Sequence, residues 1–133
     1  MSLSTISLLE NGTPAASGGT AMAMTSKGGS ENKNTLVVDA DVDLRTQRTC
    51  VFSVRPPKVQ SSAPNGYTQG RCNVVFKFPR TLANGLISVD TVSLQLSTDV
   101  ETTVAQKEEM LSLIAQVSFD SETSQAFTLL NVG

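Results

Sequence analysis

Seven basic residues stand between Leu44 and Arg80 with no acid among them: Arg45, Arg48, Arg55, Lys58, Arg71, Lys77 and Arg80. The flanking stretches reverse the sign, so residues 1–43, 44–80 and 81–133 carry −3, +7 and −6. Guanidinium and ammonium groups gathered where no carboxylate competes are the electrostatic footprint of a polyanion site. The plain alternative is a solvated sheet face with ordinary charges. Other chemistry has less support. The chain has no His, which excludes a Ser-His or Cys-His nucleophile pair. No Gly-rich phosphate loop followed by Lys-Ser/Thr occurs, and Gly18-Gly19 and Gly28-Gly29 read as flexible loops. Asp39, Asp41 and Asp43 alternate along an extended segment and could take up a cation, although a solvated edge or loop is the favoured reading. Cys50 and Cys72 lie in apolar alternating runs, which predicts buried free thiols. Two Cys without His do not complete a usual zinc site, and no metal or cofactor is expected.

The elements that must hold these groups follow from periodicity. At 133 residues the chain is expected to form one domain. No apolar run approaches a membrane span, and no basic-then-apolar leader opens the sequence, so neither a membrane partner nor a signal peptide is expected. The first two-thirds reads as β: Leu3 to Leu9, Thr20 to Thr25, Thr35 to Ala40, Arg48 to Arg55, Arg71 to Phe78 and Ser88 to Leu96. Asn11-Gly12, Asn65-Gly66 and Asn84-Gly85 suit tight reversals, and Pro56-Pro57 ends a strand. Strands joined by short polar loops predict an antiparallel meander.

The last third changes period. Thr98-Asp99-Val100-Glu101 reads as a capping box that opens a helix running to about Ser118. Its polar side holds Glu101, Thr102, Glu108, Glu109, Ser112 and Gln116. Val104, Met110, Leu111, Leu113, Ile114 and Val117 spread over about half the circumference, with Lys107 snorkelling from that arc. So wide an arc predicts either a deeply embedded helix or one that contacts two surfaces, a second chain being one source of the other surface. Asp120 would cap a second helix, Ser121 to Leu130.

Period two divides the strands into faces. Cys50, Phe52 and Val54 share a side with Cys72, Val74, Phe76 and Phe78, and with Val92, Leu94 and Leu96. That apolar face needs a cover, for which the acidic helices are the expected source. The opposite face holds Thr49, Val51, Ser53, Arg55, Arg71, Asn73, Val75, Lys77, Val89, Thr91, Ser93 and Gln95. Such groups contact phosphates and base edges.

This arrangement resembles the coat proteins of the small single-stranded RNA bacteriophages, the levivirus type. The likeness is carried by Ser53-Val54-Arg55 closing a strand, by Phe76-Lys77-Phe78-Pro79-Arg80 at the end of the next, and by Val92-Ser93-Leu94-Gln95-Leu96 running into Ser97-Thr98-Asp99 and an acidic helix. The resemblance implies an α+β fold with an N-terminal β-hairpin, an antiparallel meander, two C-terminal α-helices and an intertwined dimer. It implies one coat-protein domain over 1–133, with hairpin and sheet to about 96 and helices over 98–130. It implies further that two chains pair edge to edge and that each chain's helices cross over the partner, placing Val104, Met110, Leu111, Ile114 and Val117 in the dimer interface. Dimers would assemble into an icosahedral shell of the T=3 kind in the bacterial host cytoplasm, and the virion would enclose genomic RNA on the basic sheet face. An operator hairpin could also be bound there.

By position, the RNA face would comprise Val51, Ser53 and Arg55, then Asn73, Val75 and Lys77, then Val89, Thr91 and Ser93, with Arg48 and Arg71 adding phosphate contacts. The family's stacking tyrosine on the last strand is replaced by Val89 or a neighbour, and Val75 stands where better-known members have Lys. The only tyrosine, Tyr67, precedes Arg71 in a loop. The segment Thr81 to Leu86, which resembles the loop lining the symmetry axes, has no Cys, so disulfide-linked shells are not expected. The competing readings are a non-capsid single-stranded nucleic-acid-binding β protein and a structural subunit with no nucleic-acid role. The first would normally show exposed stacking aromatics. An enzyme acting on a small-molecule substrate comes last.

Overall fold

The computed structural model describes residues 21–119 and 124–130. The expected strand at Leu3 to Leu9, the turn at Asn11-Gly12, the Gly18-Gly19 loop and the Asp120 cap lie outside them. The described residues fall into two units, a sheet within 21–101 and a helical unit within 102–119 and 124–130.

The sheet has five antiparallel strands in simple sequence order: β1 (Met24–Ser30), β2 (Lys33–Val38), β3 (Thr49–Arg55), β4 (Gly70–Thr81) and β5 (Ile87–Thr98). β-branched residues make up half of β2 and three of the seven residues of β3, and they pack well on a pleated surface. The tightest burial lies where β2 meets β3: Val38 and Cys50 are each 1% exposed and Val37 is 5% exposed. β1 shares only Met24 and Thr25 with the described part of the expected Thr20 to Thr25, residues 21–23 lying before it, and runs on to Ser30. Gly28-Gly29 is not a free loop but part of this strand, where the register shifts between Ser26 and Gly29. Gly28 has φ +113°, and a Cβ on Gly29 would collide with the carbonyl oxygen of Lys33, so the bulge requires glycine at both positions.

Both Asn-Gly dipeptides of the described region turn the chain as their types dictate. At the β4–β5 turn Gly85 has φ +85°, Leu82 N–H donates to the Leu86 carbonyl at 2.7 Å, and Leu86 N–H donates to Asn84 Oδ1 at 3.0 Å. Between β3 and β4 the chain folds into a small hairpin. Val59 bridges Tyr67, and Lys58 N–H donates to Thr68 Oγ1 at 2.8 Å. Asn65 Nδ2 donates to Asp99 Oδ1 at 2.6 Å, tying that hairpin to the end of β5.

The helical unit begins later than Thr98 suggests. Thr98 is the last residue of β5, opposite Gly70, and Asp99 Oδ1 accepts from Glu101 N–H at 2.9 Å in a local turn. The capping box is formed five residues on. Gln106 N–H donates to Thr103 Oγ1 at 3.2 Å, and Thr103 N–H donates to Gln106 Oε1 at 2.9 Å. Helix α1 runs over Val104–Phe119 and α2 over Ser124–Thr128, ending before the expected Leu130. Strand pairing of Thr98 with β4 takes the residue the first box needed, and the chain uses the next Thr-x-x-Gln instead. The polar side of α1 is also less open than its composition suggests. Ser112 is 8% exposed and Glu109 and Gln116 are half-buried, whereas Val104 is 69% exposed and Met110, Leu111 and Ile114 each about 40%.

Candidate polyanion-binding face

Paired residues in an antiparallel ladder project to the same side, so the register assigns each face. On one side Leu36, Cys50, Phe76 and Val92 form a row, flanked by Phe52, Val74 and Leu94 and by Val54, Cys72 and Leu96. This is the apolar face expected from parity. The Phe76 and Phe78 rings stack along it with centroids 6.0 Å apart. On it Phe52, Val54, Val92 and Leu94 are exposed, Val92 at 59%. Cys50 sits buried at its centre as a free thiol whose pKa burial raises, while Cys72 is a free thiol only half-buried, more open than expected.

The opposite side is built of polar rows. Lys33, Ser53, Asn73 and Gln95 pair across four strands. Thr35, Val51, Val75 and Ser93 form the next row, and Thr49, Lys77 and Thr91 continue the ladder beyond it. Arg55, Arg71 and Ser97 form a further row, and Val89 lies opposite Pro79. The structure therefore brings Val51, Ser53, Arg55, Arg71, Asn73, Val75, Lys77, Val89, Thr91 and Ser93 onto one face.

Arg48 is not brought in with them. It flanks β3, and its guanidinium is held by Asp41: Arg48 Nε donates to Asp41 Oδ2 at 2.8 Å, Nη2 to Oδ1 at 3.2 Å, and its backbone N–H to Oδ2 at 3.0 Å. These bonds hold the Asp41 carboxyl below the usual carboxylate range. Arg45 is tied to Asp43 in the same way, with Nη2 3.2 Å from Oδ2, and its side-chain bond lowers the Asp43 pKa. Of the three acids considered for a cation, Asp41 and Asp43 thus serve as arginine clamps in the β2–β3 connection, and no cluster of three metal-ligating side chains occurs among the described residues. Arg80 pairs with Asp90 at 3.1 Å, and the register places both on the apolar side.

Of the seven basic residues, three are therefore neutralised locally. Arg55, Lys58, Arg71 and Lys77 have no carboxylate partner among the described residues. Sequence reasoning missed Lys33, which the register places on the polar face. The reason was a strand start set at Thr35; extending its alternation two residues back would have included Lys33. No acidic side chain shares this face among the paired residues of the five strands.

No family model matches the chain, and no curated protein matches it in sequence. Solved structures do. The virus-like particle of bacteriophage GQ-907 matches with a TM-score of 0.84 at 26% identity, covering 96% of each chain. That of bacteriophage AVE019 matches with a TM-score of 0.68 at 5% identity over 83% of this chain and 86% of the other, and that of bacteriophage ESE058 with 0.64 at 11% over 84% and 88%. The latter two show shared fold alone, while the first aligns nearly end to end with both the strand meander and the helices. The chain carries the fold of a bacteriophage capsid protein, a structural fold rather than an enzymatic one.

Proposed function

We propose that the chain is a coat protein of the levivirus type, a single domain that dimerises, assembles into an icosahedral shell of the T=3 kind in the host cytoplasm and encloses single-stranded genomic RNA in the virion. The observation that carries the RNA reading is the acid-free polar face: Lys33, Arg55, Arg71 and Lys77 project from the side that holds Ser, Thr, Asn and Gln, while Asp90 projects from the other. Such a face attracts phosphates by charge and by releasing counterions, and needs no aromatic platform to do so. Its lack of any aromatic side chain favours packaging over discrimination of one hairpin, since base stacking is worth about 1–3 kcal/mol.

Dimerisation is supported by two uncovered surfaces. Among the described residues β5 is a twelve-residue edge strand, exposed from Ile87 to Gln95, and a long open edge invites pairing with a second copy. On α1, Val104, Met110, Leu111 and Ile114 are exposed and Val117 is half-buried, leaving an apolar arc for the partner. Electron microscopy of the purified protein with extraction of its contents tests the proposal. Uniform closed shells holding RNA are expected; a folded monomer at assembly concentrations contradicts it.

A further inference from the structure

Two Asn-Gly dipeptides lie among the described residues, and the fold treats them differently. Asn84-Gly85 turns the chain between β4 and β5, and both of its residues are exposed. Asn84 Oδ1 accepts from Leu86 N–H at 3.0 Å, while Asn84 Nδ2 has no partner among the described residues. Asn65-Gly66 lies in the small hairpin between β3 and β4, where both residues are half-buried. There the asparagine is held at both ends of its amide. Oδ1 accepts from Tyr67 N–H at 3.2 Å, and Nδ2 donates to Asp99 Oδ1 at 2.6 Å. The glycine nitrogens are engaged alike: Gly85 N–H donates to the Leu82 carbonyl at 2.9 Å and Gly66 N–H to the Ala63 carbonyl at 3.2 Å. The two sites therefore differ at the asparagine amide and not at the backbone nitrogen that follows it.

We infer that Asn84-Gly85 is a site of spontaneous deamidation that adds a negative charge to the β4–β5 turn, and that Asp99 protects the same dipeptide at Asn65-Gly66. Asparagine is a thermolabile side chain. A glycine after it has no Cβ to obstruct the approach of the backbone nitrogen. The Gly85 nitrogen gives its proton to hydroxide and attacks Asn84 Cγ. A C–N bond forms and closes a succinimide ring. The Cγ–Nδ2 bond breaks, and Nδ2 takes a proton from water and leaves as ammonia. Water then opens the ring at either carbonyl, leaving an aspartate or an isoaspartate at position 84. The net change is amide plus water to carboxylic acid plus ammonia, with nothing oxidised or reduced. At Asn65 the bond from Nδ2 to Asp99 must break before that amide can turn or leave. The Asp99 carboxylate also opposes the negative charge that forms on the Gly66 nitrogen. The charge gained at position 84 falls in an uncharged stretch, since Thr81 to Val89 carries no ionisable side chain. The inference does not depend on what the sheet binds.

The test incubates the purified full chain at mildly alkaline pH. Each Asn-Gly peptide is followed over time by mass spectrometry that resolves isoaspartate from aspartate, so Asn11-Gly12 is read separately. Deamidation at Asn84 should outpace that at Asn65 by about tenfold or more, the worth of one charge-assisted hydrogen bond. In denaturant the two rates should converge. Asp99→Ala should raise the Asn65 rate by about tenfold and leave the Asn84 rate unchanged. Asn84→Gln should remove the matching acidic species from isoelectric focusing of aged protein. Equal rates at Asn65 and Asn84 in the folded parent, or an Asn84 that stays intact, overturn the inference without recourse to any variant. If Asp99→Ala folds, as judged by circular dichroism, yet leaves Asn65 as slow as in the parent, the protective role of Asp99 is overturned and the site at Asn84 stands.

Discussion

The two faces of one sheet are made from the same five strands, yet they solve opposite problems. The apolar face, centred on Cys50 and Phe76, carries its only described ion pair, Arg80 with Asp90, at the β4–β5 end. The polar face, centred on Val51 and Val75, has four cations and no anion among its paired residues. A surface built only for solubility would intersperse both signs. The contrast with the β2–β3 connection is sharper still. There Arg45 and Arg48 are each given an aspartate, so this chain neutralises arginines where they serve the fold. It leaves them unpaired on one face of the sheet.

The largest effect expected from this comparison is on stability. Phe76→Ala should cost about 2–4 kcal/mol and Val75→Ala, its neighbour on the other face, about 1 kcal/mol or less in chemical denaturation. Equal costs would break the assignment of the core to one side. Next comes the uncovered part of the apolar surfaces. If β5 and α1 are closed by a second copy, the unfolding free energy should rise by about 1.4 kcal/mol for each tenfold increase in protein concentration. A concentration-independent midpoint, with a folded monomer at nanomolar dilution, would remove the dimer.

Thr103→Ala should then cost about 1 kcal/mol through loss of the cap, with Thr98→Ala showing no helix-capping effect. The reverse order would restore the earlier helix start. A smaller effect concerns pH. The Asp41 pKa is lowered in the folded chain by its bonds from Arg48, so the clamp contributes fully above the ordinary carboxylate value of 3.8 and is lost as pH falls through the depressed one. Asp41→Asn should remove that component of acid sensitivity, read as midpoints that lie below the parent's above about pH 4 and converge with them as pH falls further. Least in energy is thiol access. Buried Cys50 should resist a thiol reagent in the native state while half-buried Cys72 reacts first, and non-reducing gels should show monomer only.

Much of the sheet was legible because period two is unforgiving: a one-residue slip would expose Cys50 and Phe76 together. Parity alone sorted Val51, Ser53, Arg55, Asn73, Val75, Lys77, Thr91 and Ser93 to one face. What it could not show was pairing between distant charges. Seven cations in an acid-free stretch looked uniformly available. Asp41 and Asp43 lie just before that stretch and Asp90 after it, and the fold returns all three to it. Nor could periodicity choose between two nearby Thr-x-x-Glu/Gln boxes, because the choice depends on how far β5 pairs with β4. The Gly28-Gly29 bulge was hidden for a related reason: glycine signals freedom in a loop and close approach in a strand with the same letters.

The central claim is that the acid-free face, and not positive charge in general, holds the nucleic acid. It is tested most directly by the RNA content of purified particles, read as the ratio of absorbance at 260 nm to that at 280 nm and by extraction. Arg71→Glu with Lys77→Glu reverses charge on the polar face, and Lys107→Glu makes a single cation reversal on α1. Particles or dimers bearing the sheet reversals should be stripped of RNA, while Lys107→Glu particles should package it as the parent does. Undiminished RNA in the sheet variant would contradict the account.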